Sequence, residues 1–171
     1  MILENLDHAL ARGAEPYVEV TGYSVEADTD GEIPASGLRE TMRAALRNAG
    51  RAPAAVDYVC AHGPSRRVMD RVESAMIKEV FGSRAYPIPV SSIKGVLGNP
   101  LVAAGPLQVI ACALAFRNGL IPPAANCEFR DEDCDPDHVP GRARRRCLRC
   151  AVVNTHGVGG GNSSIVLEKA S

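Results

Sequence analysis

Apolar residues recur along this chain with two different periods, and these periods divide it into helices and strands. A spacing of three or four predicts four helices, at residues 2–12, 37–48, 68–81 and 101–117. Alternation or a short apolar run predicts five strands, at residues 17–23, 56–61, 86–91, 150–154 and 163–168. Strands that alternate with helices predict a layered α/β fold, which we expect to form a single domain over residues 1–171.

The predicted helix at 101–117 is apolar on nearly every side. We expect such a helix to be buried on nearly all sides. Pro106 is tolerated only in a first turn, so the regular helix is expected to begin close to Gly105. Since 171 residues offer limited cover, a second copy or another protein is expected to cover part of this helix.

Composition and charge exclude several classes of protein. The net charge of −1 argues against a nucleic-acid partner, and the five arginines within 142–149 are typical of a solvated loop. No stretch approaches the roughly 18 consecutive apolar residues of a membrane span, so no membrane partner is predicted. The acidic first residues are unlike a signal peptide, which favours a cytoplasmic protein. We expect most of the six cysteines to be buried and reduced.

The chain has one cysteine motif and one glycine-rich turn, and neither predicts a bound cofactor. Cys147 and Cys150 form a lone CxxC motif without a second pair, which does not predict a metal site. The glycine-rich turn at 157–161 lies between two predicted strands, whereas a phosphate loop precedes a helix. We therefore expect neither a metal nor a directly bound cofactor.

Four blocks carry the candidate chemistry. They are residues 59–63 followed by Asp70 and Glu73, residues 89–105, residues 119–140 and residues 154–162. In this order they resemble the C-terminal half of the β-ketoacyl-acyl carrier protein synthases, which are ketosynthases of the thiolase-like fold. The resemblance covers essentially the whole chain. It implies a layered thiolase-like half-fold in which a mixed sheet packs around a buried central helix.

The resemblance also implies roles for three candidate catalytic residues. His62 would be the first active-site histidine, which supports decarboxylation of a malonyl unit, and Lys94 would be the buried lysine that organises charge. Asn99 stands where the family has a second histidine. Histidine can be protonated or act as a base, whereas asparagine makes only neutral hydrogen bonds. The residues alone leave open a structural His62, an exposed Lys94 and a simple Asn-Pro turn at Asn99.

Other positions depart from the family. Where the family has Thr-Ser-Thr, whose threonines contact the phosphopantetheine arm of the carrier protein, this chain has Pro64-Ser65-Arg66. Both threonine contacts are therefore lost, and Ser65 is the candidate left in this stretch. His156 and Val158 replace two phenylalanines, one of which gates the acyl pocket, and His156 is a candidate substitute for the histidine missing at Asn99. These three are the candidate substrate-binding residues, and Gln108 replaces a glutamate.

The resemblance implies a reaction that this chain does not complete alone. A Claisen condensation needs a thiolate to hold the acyl group, and the family's nucleophilic cysteine lies in the N-terminal half. We expect the chain to contribute His62 and Lys94 to a composite site, with its partner either an N-terminal ketosynthase half or a complete ketosynthase. An acyl carrier protein would deliver substrates on phosphopantetheine. Two alternatives stay open: a non-catalytic subunit similar to a chain-length factor, and a module that only binds the carrier protein.

Overall fold

A computed structural model describes residues 1–170 of the chain. Its α-helices are α1 (Leu6–Ala11), α2 (Leu38–Asn48), α3 (Arg67–Phe81), α4 (Lys94–Leu97) and α5 (Ala104–Asn118). Its strands are β1 (Glu19–Ala27), β2 (Tyr58–Cys60), β3 (Pro89–Ser91), β4 (Leu120–Ile121), β5 (Asp137–His138), β6 (Arg144–Arg145), β7 (Cys150–His156) and β8 (Gly161–Glu168). The α/β class predicted from the sequence is confirmed.

The main sheet has six strands in the order β1-β8-β7-β2-β3-β5. The pairs β1–β8 and β8–β7 are antiparallel, whereas β7, β2, β3 and β5 run parallel to one another. The sheet is therefore mixed, as expected. Because β2, β3 and β7 are parallel neighbours, their carboxyl ends meet at one edge of the sheet.

Helices cover both faces of this sheet. Side chains alternate between the faces of a strand, so Val59 packs with α2 and α3 while Tyr58 and Cys60 pack with α5. One core cluster includes Leu38 and Met42 of α2, and the other lies between α5 and the opposite face. The result is three layers, with the sheet between a pair of helices and the single helix α5.

Helix α5 begins at Ala104, next to the predicted start at Gly105. The expectation that it is buried on nearly all sides is wrong for the chain by itself. Its inner residues pack under the sheet, but Leu114 is 47% exposed and Ile110 36% exposed, because the described residues provide no layer beyond α5. Contrary to the expectation from the sequence, the 18 residues Leu101–Asn118 are long and apolar enough to cross a membrane. Apolar helices in protein cores meet the same criterion.

Other differences arise where the sequence pattern is short or irregular. Strand β1 covers Glu19–Ala27 rather than 17–23, with a register shift between Val20 and Gly22. Residues 121–140, where no strand was predicted, contain β5, which adds a fourth parallel strand to the sheet. Half of the cysteines are buried, which is fewer than expected; Cys127 and Cys147 are exposed.

Candidate active site

The carboxyl ends of three parallel strands bring His62, Lys94 and His156 together. His62 follows β2, Lys94 begins α4 just after β3, and His156 ends β7. Lys94 Nζ lies 3.2 Å from His62 Nδ1 and also donates to the His62 carbonyl oxygen. The backbone N–H of His156 donates to the same His62 Nδ1 at 3.1 Å. The structure thus places the two histidines and the lysine in one cluster.

These contacts determine which nitrogen of His62 carries the proton. A backbone N–H can only donate, so His62 Nδ1 must accept. In a neutral imidazole one nitrogen accepts and the other donates, so the proton of His62 lies on Nε2. Burial, together with the charge of Lys94 and the neighbouring His156, lowers the pKa of His62 to about 3. His62 is therefore neutral near pH 7 and presents an N–H at Nε2.

A buried carboxylate holds the turn that carries His62. Glu73 of α3 is only 4% exposed, and its two oxygens accept from the backbone N–H groups of His62 and Gly63, each at 2.9 Å. Asn154 of β7 donates to Glu73 Oε1 at 3.2 Å. These bonds satisfy the carboxylate, although burial still raises its pKa. Glu73 therefore fixes the backbone of the turn that carries His62.

Charge in the site is distributed among partly buried groups. Burial lowers the pKa of Lys94, while the nearby carboxyl of Glu73 acts in the opposite direction. Burial and the charge of Glu73 raise the pKa of Asp70 to about 6, and Asp70 Oδ1 has no hydrogen-bond partner within residues 1–170. The site thus combines one lysine, which contacts His62, with two acids on α3 whose charges act on that lysine.

Gln108 of α5 connects the site to the inner helix. Its Nε2 donates to the carbonyl oxygen of Ala61 at 2.8 Å and to that of Asn154 at 3.0 Å. Two carbonyl oxygens at the ends of adjacent strands therefore share one amide donor. A glutamate, the family's residue here, would offer these two carbonyls a donor only when protonated. Gln108 is suited to joining the strand ends rather than to neutralising Lys94.

The remaining predicted residues lie on the surface beside this cluster. Asn99 and Ser65 are exposed, and Val158 is 100% exposed. Among residues 1–170, the side chain of Asn99 makes no hydrogen bond, so none joins it to His62. The catalytic role of Asn99 and the substrate-binding roles of Ser65, His156 and Val158 remain predictions.

Three contributors to the site were not assigned a role from the sequence: Asn154, Asn162 and Asp28. Asn154 and Asn162 are both 0% exposed, and Asp28 accepts from Asn162 Nδ2 at 2.7 Å. The available signal was an asparagine at each end of the fourth block, in strands whose buried residues are otherwise apolar apart from Ser164. Asp28 lies in the acidic loop at residues 28–36, just after β1, and no sequence pattern distinguishes it from the other acidic residues there.

The chemistry that this cluster offers is hydrogen-bond donation to a developing negative charge. His62 presents its Nε2–H, and Lys94 lies behind the ring. Such donors stabilise the oxyanion or enolate of a thioester reaction. The chain's own thiol near His62, that of Cys60, is 0% exposed and faces α5. An acyl group has no access to that thiol.

Comparisons with known proteins agree with this arrangement. The family model for the beta-ketoacyl synthase, C-terminal domain, matches residues 17–128. The 3-oxoacyl-[acyl-carrier-protein] synthase 2 of Coxiella burnetii is 39% identical over 99% of this chain and 42% of its own length. The actinorhodin polyketide putative beta-ketoacyl synthase 1 of Streptomyces coelicolor is 40% identical over 99% of the chain and 37% of its own length. The chain thus spans about two fifths of these relatives.

Solved structures show the same fold. The ishigamide ketosynthase/chain length factor has a TM-score of 0.92 and 35% identity, covering 98% of this chain and 42% of that one. A ketosynthase in complex with its type II polyketide synthase acyl-carrier protein has a TM-score of 0.93 and 32% identity, again covering 98% and 42%. The strand order, the histidine and lysine at the strand ends and these matches together show that the chain belongs to the beta-ketoacyl synthase family and corresponds to its C-terminal half.

Proposed function

We propose that this chain supplies one half of the active site of a β-ketoacyl-acyl carrier protein synthase. In this role His62 and Lys94 stabilise charge on the thioester, while a cysteine outside this sequence holds the acyl group. The observation that carries the proposal is the pair of donors on His62 Nδ1, Lys94 Nζ at 3.2 Å and the His156 N–H at 3.1 Å. They leave the His62 proton on Nε2, the nitrogen free to act on a substrate.

Exposed apolar side chains on two elements support a composite assembly. They include Leu114 and Ile110 on α5, and Tyr23 and Val25 on the edge strand β1, which are 67% and 69% exposed. Val102, just before α5, is 98% exposed. Contiguous exposed apolar patches mark interaction sites in soluble proteins. The occupant we propose is the N-terminal ketosynthase region that the relatives carry beyond the matched two fifths.

The substrate carrier follows from the same proposal. Phosphopantetheine on an acyl carrier protein would bring the thioester to His62 past Ser65 and Val158, which are both exposed. A structural relative was solved as a ketosynthase in complex with an acyl-carrier protein. The chain would bind no cofactor of its own.

A second candidate function is that of an accessory subunit similar to a chain-length factor. The observation that favours it is the exposed Asn99, which supplies no titrating group at the family's second-histidine position. Losing one donor to an oxyanion costs about 10²–10³ in rate in other enzymes. An accessory subunit would shape the acyl pocket of a complete ketosynthase without using His62.

One experiment separates the two functions. The assembly is purified from the source cells through a tag on this chain, and release of labelled carbon dioxide from malonyl-acyl carrier protein is measured. If His62 is catalytic, His62→Ala lowers turnover by about 10²-fold or more, while His8→Ala, a change at an exposed histidine of α1, leaves it unchanged. Equal turnover with His62→Ala would favour the accessory subunit. No turnover with the unaltered chain would refute the catalytic proposal.

A further inference from the structure

We propose that His156 is the base of this site, and that its Nε2 accepts the proton of the thiol that attacks the acyl thioester. This inference rests on the proposed function above. It concerns a position where the family has a phenylalanine, which cannot accept a proton. It would restore a titrating group to a site that has Asn99 in place of a histidine.

The first step is the orientation of the Asn162 amide. Asn162 is 0% exposed, and its Nδ2 lies 2.7 Å from Asp28 Oδ1. A carboxylate only accepts hydrogen bonds, so the nitrogen of the amide must face Asp28. The amide oxygen then faces His156. Asp28 also accepts from the backbone N–H groups of Ala35 and Gly37, which keeps its carboxylate in place.

The second step is the position of the proton on His156. Its Nδ1 lies 3.0 Å from Asn162 Oδ1. Since an amide oxygen only accepts, Nδ1 must donate and therefore carries the proton. The Nε2 of the neutral ring then holds a lone pair, and it has no hydrogen-bond partner within residues 1–170.

The two imidazoles therefore have opposite roles. Their ring centroids lie 5.9 Å apart, and the rings meet edge to face at 76°. His62 presents a proton at Nε2, whereas His156 presents a lone pair at Nε2. His62 can therefore stabilise an oxyanion while His156 accepts a proton. Acyl transfer to a thiol requires both of these functions.

The proposed step balances without any added reactant. The S–H bond of the cysteine breaks, its proton moves to His156 Nε2, and the sulfur forms a bond to the acyl carbon. The carrier thiolate then leaves as its S–C bond breaks, and the imidazolium returns the proton to it. The charged or titratable groups that face this ring are His62, Asp28 through Asn162, and Lys94 behind His62.

Nuclear magnetic resonance of the chain alone tests the proton positions. Long-range proton–nitrogen correlation spectra at neutral pH should show His62 in its Nε2–H form and His156 in its Nδ1–H form, with His8 assigned through His8→Gln. Asn162→Ala removes the acceptor and should convert His156 to a mixture of both forms. An Nε2–H form of His156 in the unaltered chain overturns the inference, whatever activity is found.

Kinetics of the purified assembly test the catalytic role. His156→Phe keeps a ring at this position but removes the base, and we expect acyl transfer to the thiol to fall by about 10²-fold or more. Unchanged transfer with His156→Phe would assign His156 to packing alone. If the unaltered assembly transfers no acyl group, the proposed function fails and the catalytic role fails with it, while the spectra still report the proton positions.

Discussion

The buried neutral His62 should make the stability of this fold depend on pH in a way that can be calculated. Its pKa is about 3 in the folded chain against an ordinary value of 6.5. The unfolded chain therefore binds a proton at pH values where the folded chain does not. The free energy of unfolding is therefore unaffected by this group above about pH 6.5, and it decreases as the pH falls from 6.5 towards 3.

Between pH 8 and pH 5 this loss amounts to about 2 kcal/mol, since each tenfold change in proton concentration below the unfolded pKa is worth about 1.4 kcal/mol. The figure depends little on the folded pKa as long as that pKa lies well below 5. Asp70 acts in the opposite direction because its pKa is raised to about 6. Its contribution at pH 5 is at most about 1.4 kcal/mol, and less because the side chain is only half buried.

The assay compares the unaltered chain with His62→Gln by urea denaturation at pH 8 and pH 5. Circular dichroism is the suitable signal, because the chain has no tryptophan. Asp70 is present in both proteins, so its effect cancels in the comparison. The unaltered chain should lose about 2 kcal/mol more than His62→Gln between the two pH values. Equal losses would mean that His62 takes up its proton as readily in the fold as in the unfolded chain, which would refute the burial argument.

Two further predictions concern packing. A methyl group at Gly22 would collide with the carbonyl oxygen of Ala45, so Gly22→Ala should destabilise the chain by about 1–3 kcal/mol. Gly31→Ala, where a methyl group would meet nothing within 4 Å, should change stability by less than about 0.5 kcal/mol in the same urea titration. Similar effects of the two changes would contradict the close approach of β1 and α2. Leu114 of α5 is 47% exposed, so Leu114→Lys should leave the melting temperature of the free chain nearly unchanged but weaken co-purification of the chain with its partner. Ala115 is 2% exposed, so Ala115→Lys should destabilise the fold itself. A fold that tolerates Ala115→Lys would contradict the packing of α5.

Long and regular elements were predictable because local patterns determine them. The spacing of Leu38, Met42 and Leu46 together with Gly50 predicted α2 nearly to the residue. Strands β5 and β6 have two residues each, which is too short for a period of two to be visible. The outer face of α5 was expected to be covered, because an apolar sequence indicates burial without saying which molecule provides the cover.

In the site, too, residues within local sequence blocks were predictable, whereas contacts between distant segments were not. His62 and Lys94 were found because each lies within a block of recognisable neighbours. The link from Asn162 to Asp28 joins residues 134 positions apart, and its geometry depends on the pairing of β1 with β8. Nothing in the acidic loop distinguishes Asp28 from Asp30 before the strands are paired.

The turn between β7 and β8 has a consequence for how this sequence can diverge. His156 and Asn162 are directly opposite each other across the two strands, so the number of residues between them sets which side of the hairpin the amide occupies. Inserting or deleting one residue would shift β8 by one position and turn Asn162 away from the imidazole. Evolution should therefore preserve the length of this loop more strictly than the identities of the residues at its tip.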